Sequence, residues 1–284
     1  MTKTIAIFGA GGKMGCRIAD NFKASQHSLL YVEVSPAGIQ RLEQRGVAVT
    51  PHDEAVRRAD VAILALPDAL IGKVAPTIVP GLRSGAMVIC LDPAAPHGGE
   101  LPKREDITYF ITHPCHPPVI HTETDPEAAL DYFGAIKAKQ HIVCALMQGP
   151  EEDYAIGVAI AEEMFAPVMN SYRVTVEQMA MLEPALSETV AATCMTVIRE
   201  AVDEAVRRGV PEEAAREFVL GHLKVEIAIV FGFIGSPFSD GALKAIERGK
   251  KRLFRPDWKS VFEPESVLEE IRAITQNNAL AGVK

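Results

Sequence analysis

Short apolar runs alternate with amphipathic stretches through the first part of the chain. The apolar runs predict strands at about 5–7, 29–33, 47–49, 61–65, 87–91, 108–112 and 141–146. The amphipathic stretches predict helices at 13–24, 36–45, 53–58, 69–80 and 126–138, and a helix over 151–165 with a strand over 172–175 completes the pattern. Strands that alternate with helices in this way favour an α/β fold with a doubly wound parallel Rossmann sheet.

After Thr175 the strand signals end and helical periodicity takes over. A long helix is predicted over 176–208, the segment Gly-Val-Pro at 209–211 ends it, and a second helix extends to about Gly232. We therefore predict two domains, a Rossmann domain over 1–175 and an all-helical substrate and dimerisation domain over 176–284. A helix of such length in a small domain is often buried by a partner chain, so a homodimer is expected.

The first predicted strand runs directly into a glycine-rich loop and then into a helix. This order is typical of a pyrophosphate site, because glycines permit close backbone approach and the helix N-terminus offers free N–H groups. The spacing departs from strict G-x-G-x-x-G, since Met14 stands where the third glycine is expected. The residues expected to contact the cofactor here are Gly9, Gly11, Gly12, Lys13, Met14 and Gly15.

Other candidate residues follow the carboxyl ends of later strands. Glu33 ends the second strand, 18 residues after Gly15, where a carboxylate accepts hydrogen bonds from ribose hydroxyls and repels a 2′-phosphate. The cofactor is therefore predicted to be NAD rather than NADP. Pro67 and Asp68 form a tight turn expected beside the nicotinamide ribose, and Asp92 ends the next strand. Because ligands of open parallel sheets lie beyond these strand ends, all of these residues are expected at one edge.

The sixth predicted strand ends in the segment His-Pro-Cys-His-Pro-Pro at 113–118. Its prolines restrict the backbone around two imidazoles and a thiol, which suits side chains that must be held in place. His113 and His116 are candidate catalytic residues, either as a general base or as metal ligands. Two histidines and Cys115 do not complete a zinc site, so a metal would need a ligand from elsewhere.

Glu183 is the candidate for that further ligand. It precedes Pro184 within an apolar part of the long predicted helix, and a carboxylate there is costly to bury without a cation or a donor. We therefore include Glu183 among the catalytic and metal-binding candidates. His222 on the next helix is left open between a ligand and a core histidine.

Composition narrows the class of protein. The chain has 284 residues, is 48% hydrophobic and 23% charged, and carries a net charge of −8. The negative charge argues against a nucleic-acid partner, and no apolar stretch reaches the length of a membrane span. The five cysteines are scattered and odd in number, which favours reduced thiols. Because the first predicted strand begins at residue 5, no signal peptide is expected, and we predict a cytoplasmic protein.

The order of a glycine loop, an acidic strand end and an all-helical second half resembles the 6-phosphogluconate dehydrogenase-like superfamily. This superfamily includes β-hydroxyacid dehydrogenases, prephenate dehydrogenases and ketol-acid reductoisomerases. The β-hydroxyacid branch carries a catalytic lysine on the first long helix, but residues 176–208 contain none. Ketol-acid reductoisomerases place acidic metal ligands on these helices, which Glu183 and Glu188 resemble.

Longer segments, which together extend over essentially the whole chain, are similar to the D-apionate oxidoisomerases. They are IAIFGAGGKMGCRI, YVEVS, LDPAAP, ITYFITHPCHPP, QGPEEDYAIG, VTVEQMAMLEPAL and FSDGA. The resemblance implies NAD-dependent conversion of a branched sugar acid, D-apionate, to 3-oxo-isoapionate, an oxidation coupled to an acyloin-type rearrangement. Such a shift requires a Lewis acid, for which a divalent Zn or Mg ion held by His113 and Glu183 is our hypothesis, with His116 or His222 as a further ligand or base.

Two other functions stay open at this point. One is a NAD-dependent hydroxy-acid dehydrogenase that works without rearrangement and without metal. The other is a non-catalytic NAD-sensing protein, against which the histidines between prolines and the isolated Glu183 argue, because a sensor does not need them.

Overall fold

The computed structural model describes residues 2–276, which contain seven strands and twelve α-helices. The strands are β1 Thr4–Phe8, β2 Ser28–Val32, β3 Val61–Leu64, β4 Met87–Cys90, β5 Thr108–Pro114, β6 Gln140–Gln148 and β7 Val168–Arg173. The helices are α1 Lys13–Asn21, α2 Pro36–Glu43, α3 His52–Arg58, α4 Asp68–Ile78, α5 Ala94–His97, α6 Pro126–Ala129, α7 Glu152–Met164, α8 Val176–Ala180, α9 Thr193–Arg207, α10 Glu212–Val230, α11 Asp240–Leu253 and α12 Pro264–Thr275. A π-helix, Met181–Ala192, joins α8 to α9.

The strands form one sheet in the order β2-β1-β3-β4-β5-β6-β7. All pairs from β2 through to β5 are parallel, so their carboxyl ends share one edge. The chain reverses its winding direction between β1 and β3, which creates the crevice where doubly wound sheets bind their ligands. The predicted Rossmann sheet is confirmed.

The strand β6 is the exception to parallel pairing. It runs antiparallel to β5, with Pro114 opposite Ile142. The chain therefore leaves β5 and re-enters β6 at the same edge, and no helix is needed to cross the sheet. The helix predicted over 126–138 is wrong beyond its first turn, because only Pro126–Ala129 is helical and the rest consists of turns.

Three further local predictions differ from the structure. The strand predicted at 47–49 is wrong, since Val49 forms only an isolated bridge to Tyr31. The strand predicted at 172–175 lies earlier, at Val168–Arg173. The helix predicted over 176–208 is divided by the π-helix, which contains Pro184; a proline in a helix removes an N–H donor and disturbs the regular hydrogen bonding.

The core lies on both faces of the sheet, as a parallel sheet requires. Alternate side chains of β1 point to opposite faces, so Ile5 and Ile7 belong to one apolar cluster and Ala6 and Phe8 to the other. The first cluster contains residues of α1 and α7, and the second contains residues of α3, α4 and α8.

Contacts between Cα atoms divide the chain into two compact units. One extends to Glu183 and also includes the segment from Leu268 onward; the other is Pro184–Val267. The domain boundary expected at 175/176 stays a prediction, and residues 277–284 of the predicted helical domain lie outside the described chain. In the second unit, α9 and α10 border an apolar groove of about 520 Å³. None of the helices within residues 2–276 has the length and apolar character needed to cross a membrane.

Gly157 of α7 offers a test of how tightly this helix packs on the sheet. A β-carbon at Gly157 would overlap the ring of the buried Phe110. We expect Gly157→Ala to lower the free energy of unfolding by about 1–3 kcal/mol, because the added methyl group overpacks the contact with the fully buried Phe110. Thermal unfolding followed by circular dichroism measures the change.

Gly249 in α11 provides the matched control. A β-carbon there meets no atom within 4 Å, so Gly249→Ala is expected to be neutral or to stabilise by up to about 1 kcal/mol. Equal stability of the Gly157→Ala variant and the wild type would contradict the close packing described.

Candidate active site

The candidate residues lie along one edge of the sheet in the order of the strands. Glu33 follows β2, the glycine loop follows β1, Pro67 and Asp68 follow β3, and Asp92 follows β4. His113 is the penultimate residue of β5. Parallel pairing from β2 to β5 therefore brings together side chains that are far apart in the sequence.

The glycine loop is shaped by close backbone contacts. Gly9 has a φ of +81°, and a β-carbon there would overlap the carbonyl oxygen of Ala65, which precedes α4. A β-carbon at Gly15 would overlap the carbonyl oxygen of Gly9, so the helix lies against the loop. No side chain of the described chain caps α1 at Gly12, which leaves first-turn N–H groups for an anion.

The two remaining predicted loop residues have different surroundings. Lys13 is exposed at the first position of α1, with its ammonium group over the ring of Phe133. Met14 packs its side chain against the apolar core, so main-chain atoms are what it can offer a ligand. The cofactor contacts of Gly9, Gly11, Gly12, Lys13, Met14 and Gly15 stay predictions.

Glu33 is held at the end of β2 by backbone donors. Its Oε2 accepts from the Gly11 N–H at 3.0 Å, and its Oε1 accepts from the N–H groups of Val34 and Ser35 at 2.8 Å each. Partial burial acts to raise the pKa of Glu33, but the donors of Ser35, Val34 and Gly11 outweigh it and lower the pKa. These donors hold the carboxylate beside the glycine loop, and its contact with a ribose hydroxyl stays a prediction.

Pro67 and Asp68 stand at the start of α4, beyond β3. The Asp68 and Asp92 carboxylates are both close enough to Cys90, the last residue of β4, to add to the effect of burial in raising the pKa of its thiol. The ends of β3 and β4 therefore place both carboxylates on the Cys90 side of the predicted edge.

The ring orientation of His113 is set by the neighbouring strand end. Its Nδ1 lies 2.8 Å from the carbonyl oxygen of Leu91. A carbonyl oxygen can only accept, so Nδ1 carries the proton and donates it. This bond leaves the lone pair of a neutral His113 on Nε2, an arrangement that is usual for histidines that bind metals.

The Nε2 of His113 faces the carboxylate of Glu183. Its distance to the Glu183 Oε2 is 3.4 Å. Two acceptors at this distance repel each other unless a cation or a shared proton lies between them. For metal–ligand bonds of about 2.0–2.2 Å in tetrahedral geometry, two ligand atoms are separated by roughly 3.3–3.5 Å.

Asp92 is a candidate ligand that the sequence reasoning did not assign to the metal. One ligand atom each from Asp92, His113 and Glu183 lies within 4.8 Å of the other two, and all three residues are partly buried. The Asp92 Oδ1 accepts from the Ala94 N–H at 2.7 Å, which orients the carboxylate. Its place at the end of β4, next to β5, was the signal that could have identified it.

One imidazole nitrogen and two carboxylates suit a divalent cation such as Zn, Mn or Mg. Three protein ligands also leave coordination positions open for a substrate. The residues present therefore fit the divalent ion that was our hypothesis from the sequence.

His116 and Cys115 complete this end of the edge. His116 has a φ of +60°, and its Nδ1 donates to the carbonyl oxygen of Phe133 at 2.9 Å. Its ring lies edge to face with the ring of His113, at 6.3 Å between centroids. Desolvation of the thiol, and to a smaller extent the Glu183 carboxylate, raises the pKa of Cys115. This disfavours the thiolate, which is the form that binds metals and acts as a nucleophile.

His222 belongs to the second unit. Its ring stacks on Phe218 one helical turn earlier, and its Nδ1 donates to the carbonyl oxygen of Phe218 at 2.8 Å. Both contacts are local to α10. These two contacts satisfy the His222 ring without a bound ligand, and its role as a further ligand or base stays a prediction.

Two family models match the chain. The model described as the phosphogluconate dehydrogenase (decarboxylating) C-terminal domain matches residues 121–275, more than half of the chain. The model described as NADP oxidoreductase, coenzyme F420-dependent, matches residues 4–95.

Among solved structures, a semialdehyde dehydrogenase NAD-binding protein from Cupriavidus necator, in complex with calcium and NAD, superimposes with a TM-score of 0.95. It is 54% identical, and the match covers 97% of this chain and 100% of that one. An NADH-preferring ketol-acid reductoisomerase from an uncultured archaeon has a TM-score of 0.67 at 19% identity, over 96% of this chain and 82% of its own, which shows a shared fold.

Curated relatives extend over nearly the full length. A D-apionate oxidoisomerase from Rhizobium rhizogenes is 57% identical over 272 residues, covering 95% of this chain and 99% of the relative. Another from Cupriavidus necator is 54% identical over 276 residues, covering 97% and 100%. Because more than half of the residues are identical over nearly the full length of both chains, this chain belongs to the D-apionate oxidoisomerase family.

Proposed function

We propose that this chain is a NAD-dependent oxidoisomerase that converts D-apionate to 3-oxo-isoapionate. The observation that carries the proposal is the cluster of Asp92, His113 and Glu183, which lies on the same sheet edge as the glycine loop and Glu33. A plain dehydrogenation needs a hydride acceptor and a base. A coupled skeletal shift also needs a Lewis acid, for which this cluster offers ligands.

The names of the relatives support the substrate and the reaction type. The neighbouring structure that contains calcium and NAD supports both a nicotinamide cofactor and a divalent ion. Bound NAD would supply the hydride acceptor, and a bound divalent cation would supply the Lewis acid that polarises a substrate carbonyl. A cytoplasmic location is also part of the proposal.

The residues of this chain then have distinct tasks. Asp92, His113 and Glu183 would hold a bound cation, and the Leu91 carbonyl fixes the His113 tautomer. His116 is the candidate general base, because its Nδ1 proton is bound to the Phe133 carbonyl and a neutral ring keeps a lone pair on Nε2. In this role, Nε2 takes the proton of the substrate hydroxyl as the hydride leaves the carbon.

Activity and product identity test this proposal. With D-apionate and NAD, the wild type should produce NADH, followed at 340 nm, and a product whose carbon skeleton is rearranged by NMR. Glu183→Gln should lower kcat/KM at least about 100-fold, because glutamine keeps the shape of the side chain but removes the charge that binds the cation. Glu152→Gln, an exposed carboxylate on α7, is the matched control and should retain activity.

Metal binding gives a second readout of the same variant. Calorimetric titration with Mn²⁺ alone should show a site in the wild type that weakens about 10- to 100-fold in Glu183→Gln. An oxidised product with an unshifted skeleton would support the plain dehydrogenase instead. Full activity after chelation would remove the metal from the proposal.

Glu33→Gln tests the choice of cofactor. The substitution keeps the shape of the side chain but removes its charge, so we expect weaker NAD binding, by roughly tenfold, and a smaller preference over NADP. The ratio of kcat/KM for the two cofactors measures the preference. Glu43→Gln, exposed on α2, serves as the control, and an unchanged ratio in Glu33→Gln would mean that Glu33 only supports the loop.

We further propose that the helical unit pairs with a second copy of the chain. In α10, residues 212–230, no side chain is buried, although the helix is largely apolar. Phe218 is 68% exposed, and Phe231 just beyond the helix is 72% exposed. Exposed apolar surface of this kind marks an interface, and symmetric dimers are the commonest way to bury it.

Light scattering after gel filtration tests the dimer. The wild type should have twice the 30.7 kDa mass of the chain, and Phe218→Asp should shift the protein toward monomer, because it places a charge in the apolar surface. Tyr132→Asp introduces the same charge at a residue of the other unit that is 74% exposed, and it should leave the mass unchanged. A monomeric wild type would refute the pairing.

A further inference from the structure

The segment between β5 and β6 ends in an ordered turn. The buried Asp131 accepts, through Oδ2, hydrogen bonds from the N–H groups of Ile136, Lys137 and Ala138 at 3.0–3.2 Å. Gly134 has a φ of +73°, and a β-carbon there would collide with the Gln140 side chain. The turn therefore presents its exposed residues in one defined arrangement.

Phe133 is presented by this turn toward the first helix of the sheet. The Lys13 ammonium lies 3.8 Å from the centroid of the Phe133 ring, and the Arg17 guanidinium carbon lies 5.0 Å from it. Both distances are within the range of a cation–π interaction. Lys13 and Arg17 stand on the first two turns of α1, directly after the glycine loop.

The same residue contacts the other end of the candidate site. The Phe133 carbonyl accepts the Nδ1 proton of His116, and the two rings pack edge to face at 5.8 Å between centroids. His116 has a left-handed backbone conformation that residues with a β-carbon rarely adopt, and this hydrogen bond helps to hold it. Phe133 thus touches both the helix that follows the glycine loop and the candidate base.

The cations on the α1 side line a cavity of about 760 Å³. Its charged lining residues are Lys13, Arg17, Asp20, Arg41 and Arg45. The Arg41 Nε donates to the Gly11 carbonyl at 2.6 Å, and the Arg45 Nε donates to Asp20 at 3.2 Å. The lining carries four basic groups against one acid, which favours an anionic ligand group beside the glycine loop.

We propose that Phe133 is a positioning residue for the pyrophosphate of the cofactor. Its ring restrains the flexible Lys13 and Arg17 side chains, so that less entropy is lost when they meet the phosphates. The backbone carbonyl of Phe133 also holds His116 in the tautomer that the proposed general base needs. This inference rests on the proposed function, in which NAD binds at the glycine loop.

Binding measurements on variants that keep the backbone carbonyl of residue 133 test the ring. Calorimetry should show that Phe133→Leu, which retains the backbone carbonyl but has no π face, weakens NAD binding about three- to tenfold. Phe133→Tyr should stay within about twofold of the wild type. Tyr132→Leu, the adjacent and more exposed aromatic residue, is the control and should bind normally.

ADP-ribose locates the effect, because it has the pyrophosphate but no nicotinamide. The same fold loss in Phe133→Leu is expected for ADP-ribose as for NAD, and kcat at saturating NAD should change less than about twofold, since the bond to His116 persists. Three results would overturn this inference but leave the proposed function standing. They are normal NAD binding by Phe133→Leu, an equal loss of affinity in Phe133→Tyr or Tyr132→Leu, and a loss of affinity for NAD but not for ADP-ribose. A wild type that binds neither ligand would overturn the proposed function, and this inference with it.

Discussion

The candidate site depends on the mixed pairing of β5, where the sheet changes from parallel to antiparallel. This strand pairs parallel with β4 and antiparallel with β6. The parallel side brings the His113 end beside Asp92, and the antiparallel side returns the chain to the same edge. Residues 115–139 therefore begin and end at the ligand edge. A conventional crossover would have carried them over a face of the sheet instead.

The contact between His113 and Glu183 adds a chemical constraint to that geometry. The Leu91 carbonyl takes the Nδ1 proton, so the lone pair on Nε2 faces a carboxylate oxygen 3.4 Å away. A protein retains two such groups in a partly buried place when a positive charge is shared between them. Asp92 brings a second carboxylate to the same point, which favours a divalent cation over a proton.

The turn that ends at β6 connects this cluster with the cofactor loop. His113 packs on His116, His116 bonds to Phe133, and the ring of Phe133 lies on Lys13 and Arg17. These contacts join the two places where the proposed reaction needs order, the phosphates of the cofactor and the oxygens of the substrate. Exposed lysine and arginine side chains lose much entropy on binding, so an aromatic surface that restrains them has a physical benefit.

The sequence by itself determined the Rossmann sheet, the glycine loop and the acidic end of β2, and it singled out His113 and Glu183 as site candidates. Each of these is local, since apolar periodicity, a glycine pattern or a carboxylate in an apolar run can be read within a few residues. The strand predicted at 47–49 and the helix predicted over 126–138 show the limit of this approach. In both segments, tertiary contacts override the local preference for a strand or a helix. The direction of β6, the tautomer of His113, the closeness of Asp92 to His113 and Glu183, and the contacts of Phe133 were decided only by the tertiary structure. All four depend on groups that are far apart in the sequence, and only the folded chain brings such groups into contact.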